Sequence, residues 1–425
     1  METIQVIIMT VLMFFVIVTV HEWGHYFFAK RAGVLVREFA IGFGPKLFSY
    51  KKDETVFTLR LLPFGGYARM AGEDPELAEI QPGQTIAVRT VGEQVKSIFV
   101  DQLDNRRNVI RGEVQSIDLV DDLRIVMDVD GEVQTFPVHP QAMMTVKGQE
   151  IQIAPRNRHF NSASVGHRAL SIFAGPAMNF ILAFVLCVVF VRMTGVPVDN
   201  PQGVVLGQVT AASAAQAAGL QKGDIVEKIN GVSIGGDSTK MISMIEQSPG
   251  KAMQWTIDRN GQQETITVTP KADPNSNNVG KVGVSVTAQT RPAGLVETFT
   301  QAGHQFVDMS TAILTGLKKL VFGEFHLNDL AGPVGTVDMT AQVARQGLAS
   351  MILWTALIST NLGIFNLLPI PALDGSRLIF IFVEWIRRKP IEPSKEGLVH
   401  VIGFAMLFLL MIAVTYNDIV RLIKG

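Results

Sequence analysis

The sequence predicts a polytopic α-helical membrane protein with about four transmembrane helices, a β-hairpin associated with the membrane, and a small inserted β-domain. Three observations carry this. Of 425 residues, 48% are hydrophobic and the mean hydropathy is positive, too apolar for an ordinary soluble enzyme, while 18% charged residues leave room for aqueous segments. Four apolar runs approach the ~20 residues that a bilayer core demands of a helix. Between them lie alternating stretches punctuated by Asp-Gly and Asn-Gly, which read as short strands and hairpin turns.

The first run, 4–20, carries no charge, and its apolar character resumes at Tyr26-Phe27-Phe28-Ala29. Met1-Glu2-Thr3 lacks a positive n-region and no small-residue cleavage site follows, so the segment reads as a retained first span. Runs 169–191, 351–373 and 397–415 are the other candidate spans, whereas 378–386, interrupted by Glu384, reads as a surface helix or a half-span. The expected layout is a first span over 1–30, a loop and hairpin over 31–72, a partly β insert over 73–164, a second span over 165–195, an aqueous domain over 201–290, an amphipathic linker over 291–348, a third span over 350–375, a surface segment over 376–396 and a fourth span over 397–416.

Lys30, Arg31, Arg37, Lys46, Lys51 and Lys52 follow the first span, Arg156, Arg158 and Arg168 precede the second, and Arg387, Arg388 and Lys389 separate the third from the fourth. Four spans put all three groups on one side, and basic loops are retained in the cytoplasm. The amino terminus and the 201–290 domain then lie outside, and the HEWGH pentad lies near the cytoplasmic end of the first span. Arg421 and Lys424, which would be outside, run against this.

Chemistry enters at His21-Glu22-Trp23-Gly24-His25. Residues four apart share a helix face about 6 Å apart along the axis, so both imidazoles can reach one metal ion. Glu22 sits where a carboxylate can take a proton from a water that the metal activates. Two histidines and a glutamate satisfying one another inside a helix is the bland alternative. Against it, ionisable residues inside a span cost roughly 2.5–3.5 kcal/mol each and mark function by default. The only cysteine, Cys187, lies in an apolar run, which excludes an intrachain disulfide or a cysteine-ligated zinc. A net charge of −1 without a basic, aromatic-laced patch gives no sign of nucleic acid.

A catalytic zinc usually has three protein ligands and an open position. The histidines at 139, 159, 167, 304, 326 and 400 stand in no evident motif. Asp374 follows Asn366-Leu367-Leu368-Pro369-Ile370-Pro371-Ala372-Leu373, where two prolines break the helix and Asp-Gly turns a carboxylate in at membrane depth. A bare Asp-Gly is otherwise only a turn signal. Upstream, 56–61 and 67–70 read as two strands around a turn at 63–66, and Gly42-Phe43-Gly44-Pro45 as irregular backbone. Such a hairpin either lines an aqueous pocket beside the metal or is an ordinary cytoplasmic hairpin.

In the aqueous domain, 203–209 reads as a strand and 214–218 as a short helix. Ala218-Gly219-Leu220, Gly223-Asp224-Ile225 and Ile229-Asn230-Gly231 then resemble the signature of bacterial PDZ domains. That resemblance implies a PDZ-like β-sandwich that takes extended peptide by strand addition, or else a spacer with an unused groove.

Taken together, HEWGH in the first span, Gly175-Pro176-Ala177-Met178-Asn179 opening the second, NLLPIPALDG in a late one and the PDZ-like insert resemble the bacterial site-2 proteases, intramembrane zinc metalloproteases, nearly end to end. The resemblance implies one zinc held by His21, His25 and Asp374, Glu22 as catalytic base, Asn366 against the substrate backbone or oxyanion, and residues 55–70 as a membrane-associated β-loop that pairs with unwound substrate. It implies single-span membrane proteins as substrates, such as anti-sigma factors or remnant signal peptides, trimmed beforehand by a site-1-type protease. The chain departs from the family in reading Leu373-Asp374-Gly375-Ser376 where Leu-Asp-Gly-Gly is common, and in showing one complete PDZ-like string where some relatives have two. A PDZ-bearing membrane scaffold with a structural metal site is the alternative, disfavoured because such a site has no need of Glu22; a metal transporter is disfavoured by the absence of inverted repeats.

Overall fold

The structure, a computed structural model, describes residues 2–72, 80–103, 106–146, 148–274, 276, 278–323, 332–389, 391 and 393–424. His326 and the start of the 73–164 insert therefore lie outside the described residues. The chain divides into two compact units, one of residues 1–187 with 305–425 and one of residues 188–304.

In the larger unit, α1 (Glu2–Arg31) carries the HEWGH pentad. Lys30 and Arg31 complement the dipole in its last turn, and Gly33, at φ +84°, ends it in the left-handed conformation that glycine adopts without penalty. There follow β1 (Val36–Lys52) and β2 (Thr55–Met70), joined by a tight turn at Asp53-Glu54. The two strands expected within 55–70 are separate runs of this one element, and they flank β1 instead of pairing with each other as a hairpin. Strand β1 folds on itself at Gly42 and Gly44, both at positive φ, so Val36 faces Met70 and Ile41 faces Gly66 while Glu38 to Ile41 also face Val56 to Leu59 and Lys52 faces Thr55. Four runs result, in the order 66–70, 36–41, 56–59, 46–52. The 66–70 run is an edge. Arg60, Glu38 and Tyr67 tie three runs together through Arg60 to Tyr67 Oη at 2.7 Å and Tyr67 Oη to Glu38 at 2.9 Å.

The insert contains β3 (Thr85–Val91), β4 (Gln94–Phe99), β5 (Ile110–Asp118), β6 (Arg124–Val129), β7 (Glu132–Val146) and β8 (Gln149–Gln152). Pairings β4–β3–β5–β6–β7 close through a β7–β4 pairing, which removes exposed edges around the ring. The long β7 makes closure possible, its first half pairing with β6 and its second with β4 and β8. Ile86, Ile98, Ile125, Met127 and Met144 fill the interior. The expected Asp130-Gly131 hairpin turn is present, with both residues at positive φ.

Helix α2 (Val165–Thr194) is the second candidate span. In the smaller unit, β9 (Val196–Pro197), β10 (Val204–Val209), α3 (Ala214–Ala217), β11 (Ile225–Ile229), β12 (Val232–Ser233), α4 (Ser238–Glu246), β13 (Met253–Arg259), β14 (Gln262–Val268), β15 (Lys271–Asp273), β16 (Val279–Lys281), β17 (Val284–Thr287) and β18 (Thr290–Arg291) follow. The expected sandwich is built from a six-stranded antiparallel sheet, β14–β13–β11–β10–β17 with β12 on β11, curled round a fully buried Trp255 and closed by Ala215, Met241 and Ile245 from the two helices. Ser213 and Asp237 cap α3 and α4 by accepting from Gln216 and Lys240 N–H. Asp224, within the PDZ-like string, is buried; burial alone would raise its pKa, but bidentate bonds from Arg259 at 2.7 and 2.8 Å hold it below the ordinary value.

Helix α5 (Leu295–Phe322) leads back to α6 (Pro333–Gln346), α7 (Leu348–Asn366), α8 (Asp374–Arg387) and α9 (Pro393–Lys424). The third span, expected over 350–375, ends as a helix at Asn366, because Pro369 and Pro371 cannot continue the ladder. Met13 and Ile17 of α1 pack on Ala344 and Met351, and the buried Asp418 of α9 accepts from Gly335 N–H in the first turn of α6 at 2.7 Å. Among the described residues four helices, Ile4–Arg31, Val165–Thr194, Leu348–Asn366 and Glu396–Ile423, are long and apolar enough to cross a membrane.

Candidate metal centre

His21 and His25 sit one turn apart on the inner face of α1, each 7% exposed. Gly24 places this face against α2, since a side chain there would overlap the Ala174 carbonyl. Gly175 comes next on α2 and lies under both rings. A methyl group on it would overlap His25 Nε2 and come within 2.9 Å of His21 Cε1. Asp374 opens α8 from the far side. Gly375 lets the turn close on the Leu367 and Leu368 carbonyls, and Ser376, where the family often has glycine, donates its hydroxyl to Leu373 O at 2.8 Å and leaves Asp374 in place.

The three candidate ligand atoms form a near-equilateral triangle. His21 Nε2 and His25 Nε2 are 3.2 Å apart, and Asp374 Oδ2 is 3.3 and 3.4 Å from them. Three atoms bound to one zinc at ~2.0 Å with tetrahedral angles stand ~3.3 Å apart. Hydrogen bonding fixes the direction of the lone pairs. His25 Nδ1–H donates to Ser171 O at 2.9 Å, which leaves Nε2 as a bare acceptor. The Asn179 amide lies 3.1 Å from His21 Nδ1 while its own Oδ1 has no partner. Turning the amide over puts Oδ1 where it accepts from Nδ1–H and again frees Nε2. Asp374 Oδ2 is likewise buried without a hydrogen-bond partner. Three buried acceptors aimed at one point repel one another unless a cation stands between them, so the donor set fits a zinc ion.

Glu22, 9% exposed, and Asn366, at the end of α7, line the same cavity as the triad, about 910 Å3 in volume. One wall of it is the 65–70 stretch of β2. Gly66 passes so close to Glu22 that a Cβ on it would stand 2.9 Å from Glu22 Cγ. All five residues singled out in the sequence thus meet in one place. Among the described residues, His21, His25 and Asp374 are the grouping of metal-ligating side chains that converges. His400 serves differently: its Nδ1 accepts at 3.0 Å from the N–H of Ala372, whose φ of +77° shapes the turn before Asp374. Asn179, Gly175, Ser171 and His400 have no role assigned from sequence; Gly175 and Asn179 stand in the segment that contributes to the family resemblance, and nothing marks the other two.

Residues 9–410 match peptidase family M50, and the chain belongs to that family. It is a membrane metalloendopeptidase with zinc as cofactor, of the intramembrane site-2 type. Over 425 residues it is 44% identical to the regulator of sigma-W protease RasP of Bacillus subtilis (strain 168), with 99% of each chain covered. Over 427 residues it is 44% identical to the zinc metalloprotease RasP of Geobacillus kaustophilus (strain HTA426), with 98% of each covered. Among solved structures, the PDZ domain of an SdrC-like protein from Listeria monocytogenes covers 20% of this chain and 88% of its own length at 18% identity, with a TM-score of 0.19. Membership of a peptidase family sets aside the scaffold and transporter readings.

Proposed function

We propose that the chain cleaves a peptide bond within or beside the transmembrane segment of a single-span membrane protein, with His21, His25 and Asp374 holding zinc and Glu22 as base. The observation that carries the proposal is that the ligand triangle, Glu22 and the edge run of β2 face one cavity. The zinc supplies Lewis acidity, lowering the pKa of a water to about 7 and polarising a carbonyl. Glu22 accepts the proton of the attacking water and returns it to the leaving amine, a general acid–base role of about 10²–10⁴-fold in rate. Asn366 directs its amide at the carbonyl oxygen as it gains charge. A helical amide is hidden in its own hydrogen bonds, so the substrate unwinds first, and the edge at 66–70 replaces the lost bonds by strand pairing.

The three basic loop groups support an active site on the cytoplasmic side of a bacterial plasma membrane, with the 201–290 domain outside. There the PDZ-like domain screens substrates, excluding those with bulky outer domains until a site-1-type protease has trimmed them. The Bacillus relative is named a regulator of sigma-W, in keeping with anti-sigma factors as a substrate class; remnant signal peptides are the other class that the family resemblance implies. The test is incubation of detergent-purified protein, and of Glu22→Gln, with a tagged single-span peptide with and without a zinc chelator. Cleavage within the span, lost in both controls while Glu22→Gln keeps its zinc, is the expected result. An active Glu22→Gln protein would remove Glu22 as base.

A further inference from the structure

Helix α8 has a face that neither the ligand triangle nor its cavity uses. Ile379, Phe382, Trp385 and Ile386 are 45, 56, 62 and 61% exposed, and their spacing gathers them on one side of the helix. Beside them lies a second cavity, about 710 Å3, walled entirely by apolar residues, among them Ala169, Leu367, Pro369, Leu378 and Ile381. The helix then ends in charge: Arg387 in its last turn, followed by Arg388 and Lys389, all exposed. Glu384, which could have balanced them, is bonded through both carboxylate oxygens to Arg168 at 2.5 and 2.9 Å.

The occupant of such a surface is apolar along a groove and anionic at one end. A free phosphate has no use for the groove, and a neutral lipid or a second apolar helix has none for the basic triplet. We propose that the α8 groove and Arg387-Arg388-Lys389 bind an anionic phospholipid, with an acyl chain along Ile381, Phe382 and Trp385 and the headgroup at the triplet. The lipid seats the helix whose first residue, Asp374, is a candidate metal ligand.

This site rests on the reading of the chain as a membrane protein, and its test reads lipid contact instead of cleavage, so its failure leaves the peptidase reading untouched. The full-length protein is reconstituted in phosphatidylcholine vesicles containing a small fraction of brominated phosphatidylglycerol or of brominated phosphatidylcholine. Bromine quenches nearby tryptophan, and the Trp385 contribution is the difference from Trp385→Phe. Brominated phosphatidylglycerol is expected to quench Trp385 at about fivefold lower mole fraction, on the order of one basic side chain's attraction for an anionic headgroup. The preference is expected to vanish when Arg387, Arg388 and Lys389 are all replaced by glutamine. Equal quenching by both lipids means mere bilayer contact and overturns the site. Quenching by neither means that protein, a second copy included, covers the face, and a preference that survives the triple replacement places the headgroup elsewhere; either result also overturns it.

Discussion

Gly175 is the residue on which the ligand triangle closes most tightly. With no side chain, it allows α2 to lie directly against both imidazoles; a methyl group would take space that His25 Nε2 holds. Gly175→Ala is therefore expected to weaken zinc binding by roughly 10–100-fold, the range typical of lost support around a ligand. Competition with a chelator would measure this, and unchanged affinity would mean that α2 moves aside, since an approach of 2.3 Å to His25 Nε2 is too deep for a slight adjustment. Asn179 gives a sharper test, because the argument needs an acceptor oxygen and not merely a polar group. Asn179→Ala is expected to lose zinc affinity by about the same factor, while Asn179→Asp, which keeps an oxygen opposite His21 Nδ1, retains most of it. Equal losses in both variants would show that the contact only fills space. The candidate ligands are legible in the sequence because their signal is local: i and i+4 histidines, and an aspartate behind two prolines. Asn179 and Gly175 are not, because what defines them is an approach of two helices that are far apart in sequence, 158 residues where Asn179 meets His21.

The elements show a similar division. Spans, hairpin turns and the PDZ-like string were legible because hydrophobic run length and positive-φ glycines are written in short windows. Strand β1 was missed since its folding at Gly42 and Gly44 leaves no alternation to read, and with it went the true partner of 55–70. At the β1–β2 turn, Glu54 joins this sheet to the barrel. Hydrogen bonds from Arg158, the shortest 2.7 Å, hold the Glu54 pKa down to about 2 against the opposing effect of burial, with help from Gln152 and Lys30. A carboxylate depressed on folding stabilises the fold fully above its unfolded value of 4.5, and that contribution is lost as pH falls from there towards 2. Between these limits the wild type is expected to lose stability more steeply than Glu54→Gln, as read by thermal unfolding in detergent across that pH range. Parallel pH curves for the two proteins would show that Glu54 does not link sheet and barrel.

At the scale of the whole molecule, the smaller unit is an insertion with closed ends. Strand β9 pairs with β18, Pro197 opposite Thr290, so the chain leaves and returns within one strand spacing of ~5 Å. Every candidate ligand, Glu22, Asn366 and the β2 edge belong to the other unit. Removing 198–289 and joining the ends with a short flexible linker thus cuts nothing that the cavity is made from. The deleted protein is expected to bind one zinc and to cleave a trimmed single-span peptide at a rate close to that of the full chain. If the domain screens by bulk, the deletion also cleaves a substrate that still carries a folded outer domain, which the full chain rejects. Side-by-side digestion of trimmed and untrimmed versions of one substrate distinguishes the cases. Rejection of the untrimmed form by both proteins would place the discrimination at the entrance to the cavity itself, where unwinding, and not the size of the outer domain, selects what reaches Glu22.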